Sequence, residues 1–216
     1  MRIDQKPSEA DESRVFVVDD DQSVRESIAY MLKVHDLDHM LFESPVALLE
    51  RVNPSDRGCL LLDVRMPEMN GLELFDTLKE AGISMPAIFI SGHGDIQIAV
   101  RAVQAGALDF LEKPFDDEQL IEKIRNALEL DAAEFREHSQ HAAIEERLDA
   151  LTPREREVME GILEGKLNKL VADDLDISVR TVEIHRAKVL KKLDARNSSE
   201  MVRMVLSTKR YRDWLL

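Results

Sequence analysis

Five side chains are set apart by the chemistry they offer together: Asp19, Asp20, Asp63, Ser91 and Lys113. Each stands at the end of an apolar run. Arg14–Val18 leads into Asp19-Asp20, Cys59–Leu62 into Asp63, AIFIS closes on Ser91, and the stretch 107–112 runs into Lys113. Three carboxylates gathered closely repel one another, so a proton or a cation must join them. Oxygen-only ligands favour a hard ion, and a site that keeps waters open for a phosphate suits Mg²⁺. Lys113 supplies a point charge for a phosphoryl oxygen, and the Ser91 hydroxyl can donate to another. A carboxylate beside both a metal and a lysine is a nucleophile for phosphoryl transfer, with an acyl phosphate as its product. Alone, Asp63 reads equally as an aspartate that opens a turn; the other four residues favour the chemical reading.

These residues need elements to position them. Cys59-Leu60-Leu61-Leu62, bounded by polar turn residues, suits a strand buried on both faces of a parallel sheet. Open α/β sheets hold their ligands at the carboxyl ends of such strands. Around it, Arg14–Val18, 38–42, AIFIS and 107–112 read as strands. Helical spacing follows from Ser23 to His35, from Pro45 to about Arg51, from Gly71 to about Ala81, from Asp95 to about Gln104 and from near Asp116 onward. Ser44-Pro45 supplies a cap and a first-turn proline. Five strands alternating with five helices predict a doubly wound parallel sheet.

Beyond about Glu129 the sequence turns alanine- and charge-rich without glycine or proline up to Ala150. It predicts either a continuation of the last helix or a separate helical linker, taken as 131–147, that helps two chains lie together. Leu151-Thr152-Pro153-Arg154-Glu155 then forms a capping box. A helix carrying Val158, Ile162 and Leu163 ends at Gly165, and a short helix runs from about Lys169 to Leu175. After the turn Asp176-Ile177-Ser178, a longer helix reaches about Leu193, and a last one spans about Ser199 to Leu206. Short helices, a tight turn and a longer basic helix describe a helix-turn-helix module. On pattern alone, a small helical interaction domain reads nearly as well.

Charge divides the chain in the same place. The net charge is −14, yet residues 151–216 hold 14 Lys+Arg and 11 Asp+Glu, a net of +3 that leaves −17 on the rest. The front part should repel polyanions, while the tail part can tolerate them. One cysteine, Cys59, excludes an intramolecular disulfide and every multi-cysteine metal motif. Its apolar setting makes it a core residue, in keeping with a reducing compartment. No apolar stretch approaches the roughly 20 residues of a membrane span, and MRIDQKPSEADES lacks the apolar core of a signal peptide. A cytoplasmic protein without a membrane partner is expected, with residues 1–12 as a disordered tail. Gly92-His93-Gly94 is no dinucleotide fingerprint, since it lacks the third glycine. His93 reads as a loop residue, His138 and His141 as a solvated helix face, and Met66 and Met69 as loop packing.

VFVVDDD, LLLDVRMPEMNGLEL, IFISGHGD and DFLEKPF together resemble the receiver domain of two-component response regulators, in particular the FixJ subgroup. The resemblance covers roughly 14–130, with the receiver placed at 13–130, and implies a flavodoxin-like sheet. It implies that Asp63 takes phosphate from a sensor histidine kinase. Asp20 would ligate Mg²⁺ directly, Asp19 through water, and the Arg65 backbone carbonyl would complete the site with Asp63. Ser91 and Phe110 would be the switch pair, and Lys113-Pro114 the family's cis peptide bond. LTPREREV, the NK and VA pairs, and IS-x-x-TVEIH followed by KKL resemble the LuxR-type helix-turn-helix, placed at 148–216. Val179–Leu193 would then be the recognition helix in the major groove. Thr181, Glu183, Ile184, Ala187, Lys188 and Lys191 should face outward. Glu183 would accept from a cytosine amino group, Lys188, Lys191 and Lys192 would meet phosphates, and Arg180 and Arg186 either. Lys169 and Ser178 join the expected DNA contacts.

The resemblances combine into one expectation. Phosphate on Asp63 draws Ser91 and Lys113 inward and repacks Phe110. The face carrying Ile96, Val100, Arg101 and Lys123 changes with it, and receivers of this family dimerise there. A homodimer, or domains released from one another, would bind paired promoter half-sites in double-stranded DNA, with RNA polymerase as a further partner. Such a regulator is not an enzyme. Two other classes compete: a Mg²⁺-dependent phosphohydrolase with an aspartyl-phosphate intermediate, and a signalling module whose tail binds a protein instead of DNA. The first would turn over small phosphomonoesters; the second would lack salt-dependent binding to promoter fragments.

Overall fold

The computed structural model describes residues 13–92, 96–212 and 214, and of 96–98 the backbone only. The expected tail at 1–12, the His93 loop and the Asp95 cap lie outside the described residues. The chain divides into two compact units after Phe135.

In the first unit, β1 (Arg14–Val18), α1 (Gln22–Val34), β2 (His39–Phe42), α2 (Pro45–Leu49), β3 (Gly58–Asp63), α3 (Gly71–Glu80), β4 (Ala87–Ser91), α4 (Ile96–Gln104) and β5 (Asp109–Glu112) alternate, and α5 (Asp117–Asp149) follows. The strands form a five-stranded sheet in the order β2-β1-β3-β4-β5. All four pairings are parallel, as the strand–helix alternation requires. All six residues of β3 are buried, so its unbroken apolar run is what a strand covered on both faces needs. Side chains alternate between two cores. Phe16, Val18, Leu60, Leu62 and Phe89 pack with Leu74, Phe75 and Leu78 of α3. Val15, Val17, Cys59, Leu61, Ile88 and Ile90 pack with α1 and with Leu120, Ile121 and Ile124 of α5. Burial first, and then the charge of Asp131, push the Cys59 thiol up to about 12, which leaves it an inert core group.

Local signals start the helices. The Asp21 carboxylate accepts from the amides of Ser23 at 2.8 Å and Val24 at 3.4 Å and so opens α1. Ser44 and Pro45 open α2 as their pattern predicts. Asn70 and Glu73 form a capping box at the start of α3.

In the second unit, the end of α5 joins α6 (Pro153–Leu163), α7 (Asn168–Leu175), α8 (Val179–Leu193) and α9 (Ser198–Ser207). Met159, Leu163, Val189, Leu193, Met201, Val205 and Tyr211 surround Ile144 and Leu148 of α5. Thr152 and Glu155 make the capping box, and Ser178 caps α8. Asp176 and Asp194, both left-handed, end α7 and α8. The last sheet helix and the linker are one helix, which resolves the two readings of the alanine-rich stretch. No helix among the described residues is long and apolar enough to cross a membrane.

Candidate functional site

The carboxyl ends of β1, β3 and β5 bring Asp19, Asp63 and Lys113 together. The Lys113 ammonium donates to Asp19 Oδ2 at 2.7 Å and to Asp63 Oδ1 at 2.6 Å. Both carboxylates are buried and the Lys113 side chain is a quarter exposed. The remaining oxygens are also occupied. Asp21 N–H donates to Asp19 Oδ1 at 2.8 Å, and Arg65 N–H to Asp63 Oδ2 at 2.6 Å. Arg25 holds the Asp19 carbonyl at 2.6 Å. Burial raises the Asp63 carboxyl above its usual range, the Lys113 hydrogen bond opposes this, and the Asp19 charge adds to it. Lys113 is drawn down by burial, but its two carboxylate hydrogen bonds outweigh that and leave it raised.

Of the three carboxylates expected to gather within a few ångströms, Asp19 and Asp63 are bridged by Lys113. Asp20 is exposed and lines, with Val64, Arg65, Met66, Asn70, Leu72 and Arg101 among others, a cavity of about 460 Å³. Lys113 supplies a cation between those two carboxylates, as the repulsion argument demands. One ammonium between two carboxylates still leaves an excess negative charge, with Asp20 adjoining it. Among the described residues no group of three His, Cys, Asp or Glu side chains is already drawn in to metal-binding distance. An excess of negative charge on oxygen-only donors fits a hard divalent cation such as Mg²⁺.

Gly71 makes the site compact: a Cβ there would lie 2.3 Å from the Asp63 carbonyl oxygen, so only glycine lets α3 start against β3. Ser91 is buried at the end of β4, and its carbonyl accepts from Lys113 N–H at 2.7 Å. Phe110 is half-buried against the core that holds Phe89, its register partner on β4. The Lys113-Pro114 bond is cis. Of the expected dimer face, Val100 is exposed and Lys123 is paired with Asp109. Arg101 lines the cavity beside Asp20, and the Ile96 side chain lies outside the described residues.

On α8 the pattern separates an inner from an outer face. Val182, Val189 and Leu193 are buried, while Arg180, Glu183, Ile184, Ala187, Lys188 and Lys191 are exposed, as is Lys169 at the start of α7. Arg180 and Glu183 form an exposed pair at 3.4 Å. Thr181 is half-buried and shares its hydroxyl with the Ser178 cap at 2.8 Å. Two of the residues expected at DNA make hydrogen bonds inside the unit. Lys192 donates to Glu155 at 2.6 Å and to the Ala150 carbonyl at 2.9 Å. Arg186 donates to Asn168 at 3.0 Å and Ser198 at 2.7 Å. Their partners lie on other elements, so no spacing within α8 could have marked them.

Residues 15–125 match the family model described as the response regulator receiver domain, and 149–205 that of bacterial regulatory proteins of the luxR family. The transcriptional regulatory protein FixJ of Azorhizobium caulinodans is 44% identical over 192 residues, covering 89% of this chain and 91% of that protein. The response regulator protein TodT of Pseudomonas putida is 41% identical over 203 residues, covering 94% and 88%. The solved structure of the response regulator StyR is 38% identical, with a TM-score of 0.83 over 90% of this chain and 98% of that one.

Proposed function

The chain belongs to the transcriptional response regulators that join a receiver domain to a LuxR-type DNA-binding domain, and from that premise we propose that Asp63 is the phosphoacceptor whose modification governs promoter binding. The observation that carries this reading is the Asp19–Lys113–Asp63 bridge at the carboxyl ends of β1, β3 and β5. An Asp63 carboxylate oxygen bonds to phosphorus as the P–N bond of a kinase phosphohistidine breaks. The leaving imidazole nitrogen keeps that electron pair and takes up a proton. Asp19, Asp20, Asp63 and the Arg65 carbonyl would hold Mg²⁺. When bound, the ion supplies charge neutralisation for the phosphoryl oxygens.

Both Asp63 oxygens carry a hydrogen bond, from Lys113 and from Arg65 N–H. Phosphorylation therefore has to rearrange at least one of them. Lys113 passes from the carboxylate to a phosphoryl oxygen, and the Ser91 hydroxyl donates to another. Their inward movement alters the packing of Phe110. This biases the receiver toward a homodimer through the α4–β5–α5 face. Two helix-turn-helix units then meet paired half-sites in duplex DNA. Lys188, Lys191 and Lys169 contact phosphates, while Glu183, Ile184, Ala187 and Arg180 face base edges. A sensor histidine kinase is the donor, and RNA polymerase a further partner at the promoter.

Light scattering with and without Mg²⁺ and beryllofluoride tests this reading, together with binding to promoter fragments. A rise from monomer to dimer mass and a gain in DNA affinity, both absent in D63N, are expected. A D63N protein that responded like the wild type would overturn it.

A further inference from the structure

At the opposite end of β3 from Asp63, the chain is tied to α5 by a second buried charge cluster. Arg57 Nε donates to Asp131 Oδ1 at 3.2 Å and Oδ2 at 3.0 Å, and Arg57 Nη2 to Oδ2 at 2.6 Å. The same nitrogen donates to the Asp131 carbonyl at 2.8 Å. Gly58 N–H, the first amide of β3, donates to Oδ2 at 3.1 Å, and the Ser13 hydroxyl approaches it at 3.5 Å. One turn further along α5, the Arg57 guanidinium lies 3.8 Å from the Phe135 ring centroid. The Arg57 carbonyl accepts from Arg14 N–H at 3.0 Å, which joins the foot of β1 to the same point. Gly58 is bound to this geometry. Its φ is +139°, and a Cβ there would fall 1.8 Å from the Arg14 carbonyl oxygen.

The place of this cluster along α5 gives it significance. Hydrophobic anchoring of α5 in the first unit ends with Ala127 and the half-buried Leu128. Asp131 is the last buried residue of the helix before Ile144, and none of residues 132–143 is buried. Leu130 and Phe135, the large apolar side chains nearby, are 39% and 41% exposed and hold the helix weakly. Leu130 borders a cavity of about 430 Å³ beside the β4 and β5 feet, so the helix is not packed tightly there either. A buried ion pair is weak evidence of stability, but it is selective for register. Sliding α5 by one residue moves Asp131 by about 1.5 Å along the axis and about 100° around it. That movement strands both the guanidinium and the Gly58 amide.

We propose that Arg57 is a positioning residue that latches α5 to the foot of the phosphoacceptor strand, fixing the register in which the helix leaves the receiver and so coupling Asp63 to DNA binding. This rests on the phosphorylation reading above. β3 spans from the latch at Gly58 to the acceptor at Asp63, and every residue between is buried. A change at its tip therefore reaches α5 through a packed strand and a charged clasp. Without Arg57, the helix from about Leu128 onward is free to rotate or fray, and the signal is no longer delivered in one register.

The test uses the full-length protein and a duplex selected from a random-sequence pool by the beryllofluoride-treated wild type. Three quantities are measured for wild type, R57Q and R57K: beryllofluoride uptake at Asp63, affinity without it, and the gain in affinity on adding it. The wild-type gain is expected on the order of 5- to 150-fold, and R57Q should reduce it to about twofold or less. Uptake and basal affinity should stay as in wild type, a split that mere loss of stability would not produce. R57K keeps the charge but not the two-pronged geometry and should retain part of the gain. It carries the same test if R57Q fails to fold. A folded R57Q with the full wild-type gain overturns the latch alone. A wild type that takes up no beryllofluoride at Asp63, or shows no gain, overturns the phosphorylation reading and the latch with it.

Discussion

Lys192 is bound to Glu155: its ammonium lies 2.6 Å from a buried carboxylate, while the neighbouring Lys188 and Lys191 are exposed. One basic stretch of α8 therefore divides between structural and solvent-facing roles. K192A should destabilise the second unit by about 1–3 kcal/mol, because it leaves the Glu155 carboxylate buried without its partner. K188A should leave stability nearly unchanged. In DNA titrations across salt concentrations, K188A should lower the slope of log affinity against log salt by about one, whereas K192A should leave it as in wild type.

Glu155 also gives the second unit an acid dependence with a defined sign. The Lys192 hydrogen bond, with those from Thr152, holds its carboxyl down to about 2 from 4.5, against the effect of burial. A depressed folded value means that the stabilisation is complete above about 4.5 and is lost as pH falls toward 2. Urea midpoints followed through Trp214, the single tryptophan, should decline over that window in wild type. In E155Q they should start lower and decline less.

Asp63 carries the opposite sign. Its carboxyl is raised by burial, so the fold disfavours the ionised form relative to the unfolded chain. The penalty is absent below the unfolded value of 3.8 and complete once pH exceeds the raised folded value. D63N removes the excess negative charge beside Asp19 and Lys113. Its thermal midpoint should exceed that of wild type by a few degrees at neutral pH, with the difference shrinking as pH approaches 3.8. Addition of Mg²⁺ should raise the wild-type midpoint and close the same gap.

Lys113 is the counter-charge to two buried carboxylates. K113M leaves Asp19 and Asp63 facing each other without a cation and should cost about 3–5 kcal/mol at neutral pH. Because the Asp63 carboxyl, raised by burial, then loses the lysine that opposes this rise, K113M should regain stability as pH is lowered from neutrality. Denaturation midpoints collected across pH would show this as a slope of opposite sign to that set by Glu155.

Much of this protein was legible in its sequence because the information is local. The apolar run before Asp63 announces a strand buried on both faces, and strand–helix alternation forces a parallel sheet. Thr152 with Glu155 and Ser178 before Val179 mark helix starts that the structure reproduces, since a cap bonds only three or so residues away. A parallel sheet also places its strand ends on one side, which is why Asp19, Asp63 and Lys113 were expected together.

Tertiary structure alone decided how those groups share their charge. Lys113 lies 94 residues from Asp19 and 50 from Asp63, and only the closed sheet shows one ammonium serving both, with Asp20 outside on the cavity wall. Likewise Lys192 and Arg186 look like their exposed neighbours until α6, α7 and α9 bring Glu155, Asn168 and Ser198 against them. Arg57 and Asp131, 74 residues apart, carry no motif. Periodicity and capping record what a residue does with its near neighbours. A hydrogen bond between distant elements depends on packing that no short stretch encodes.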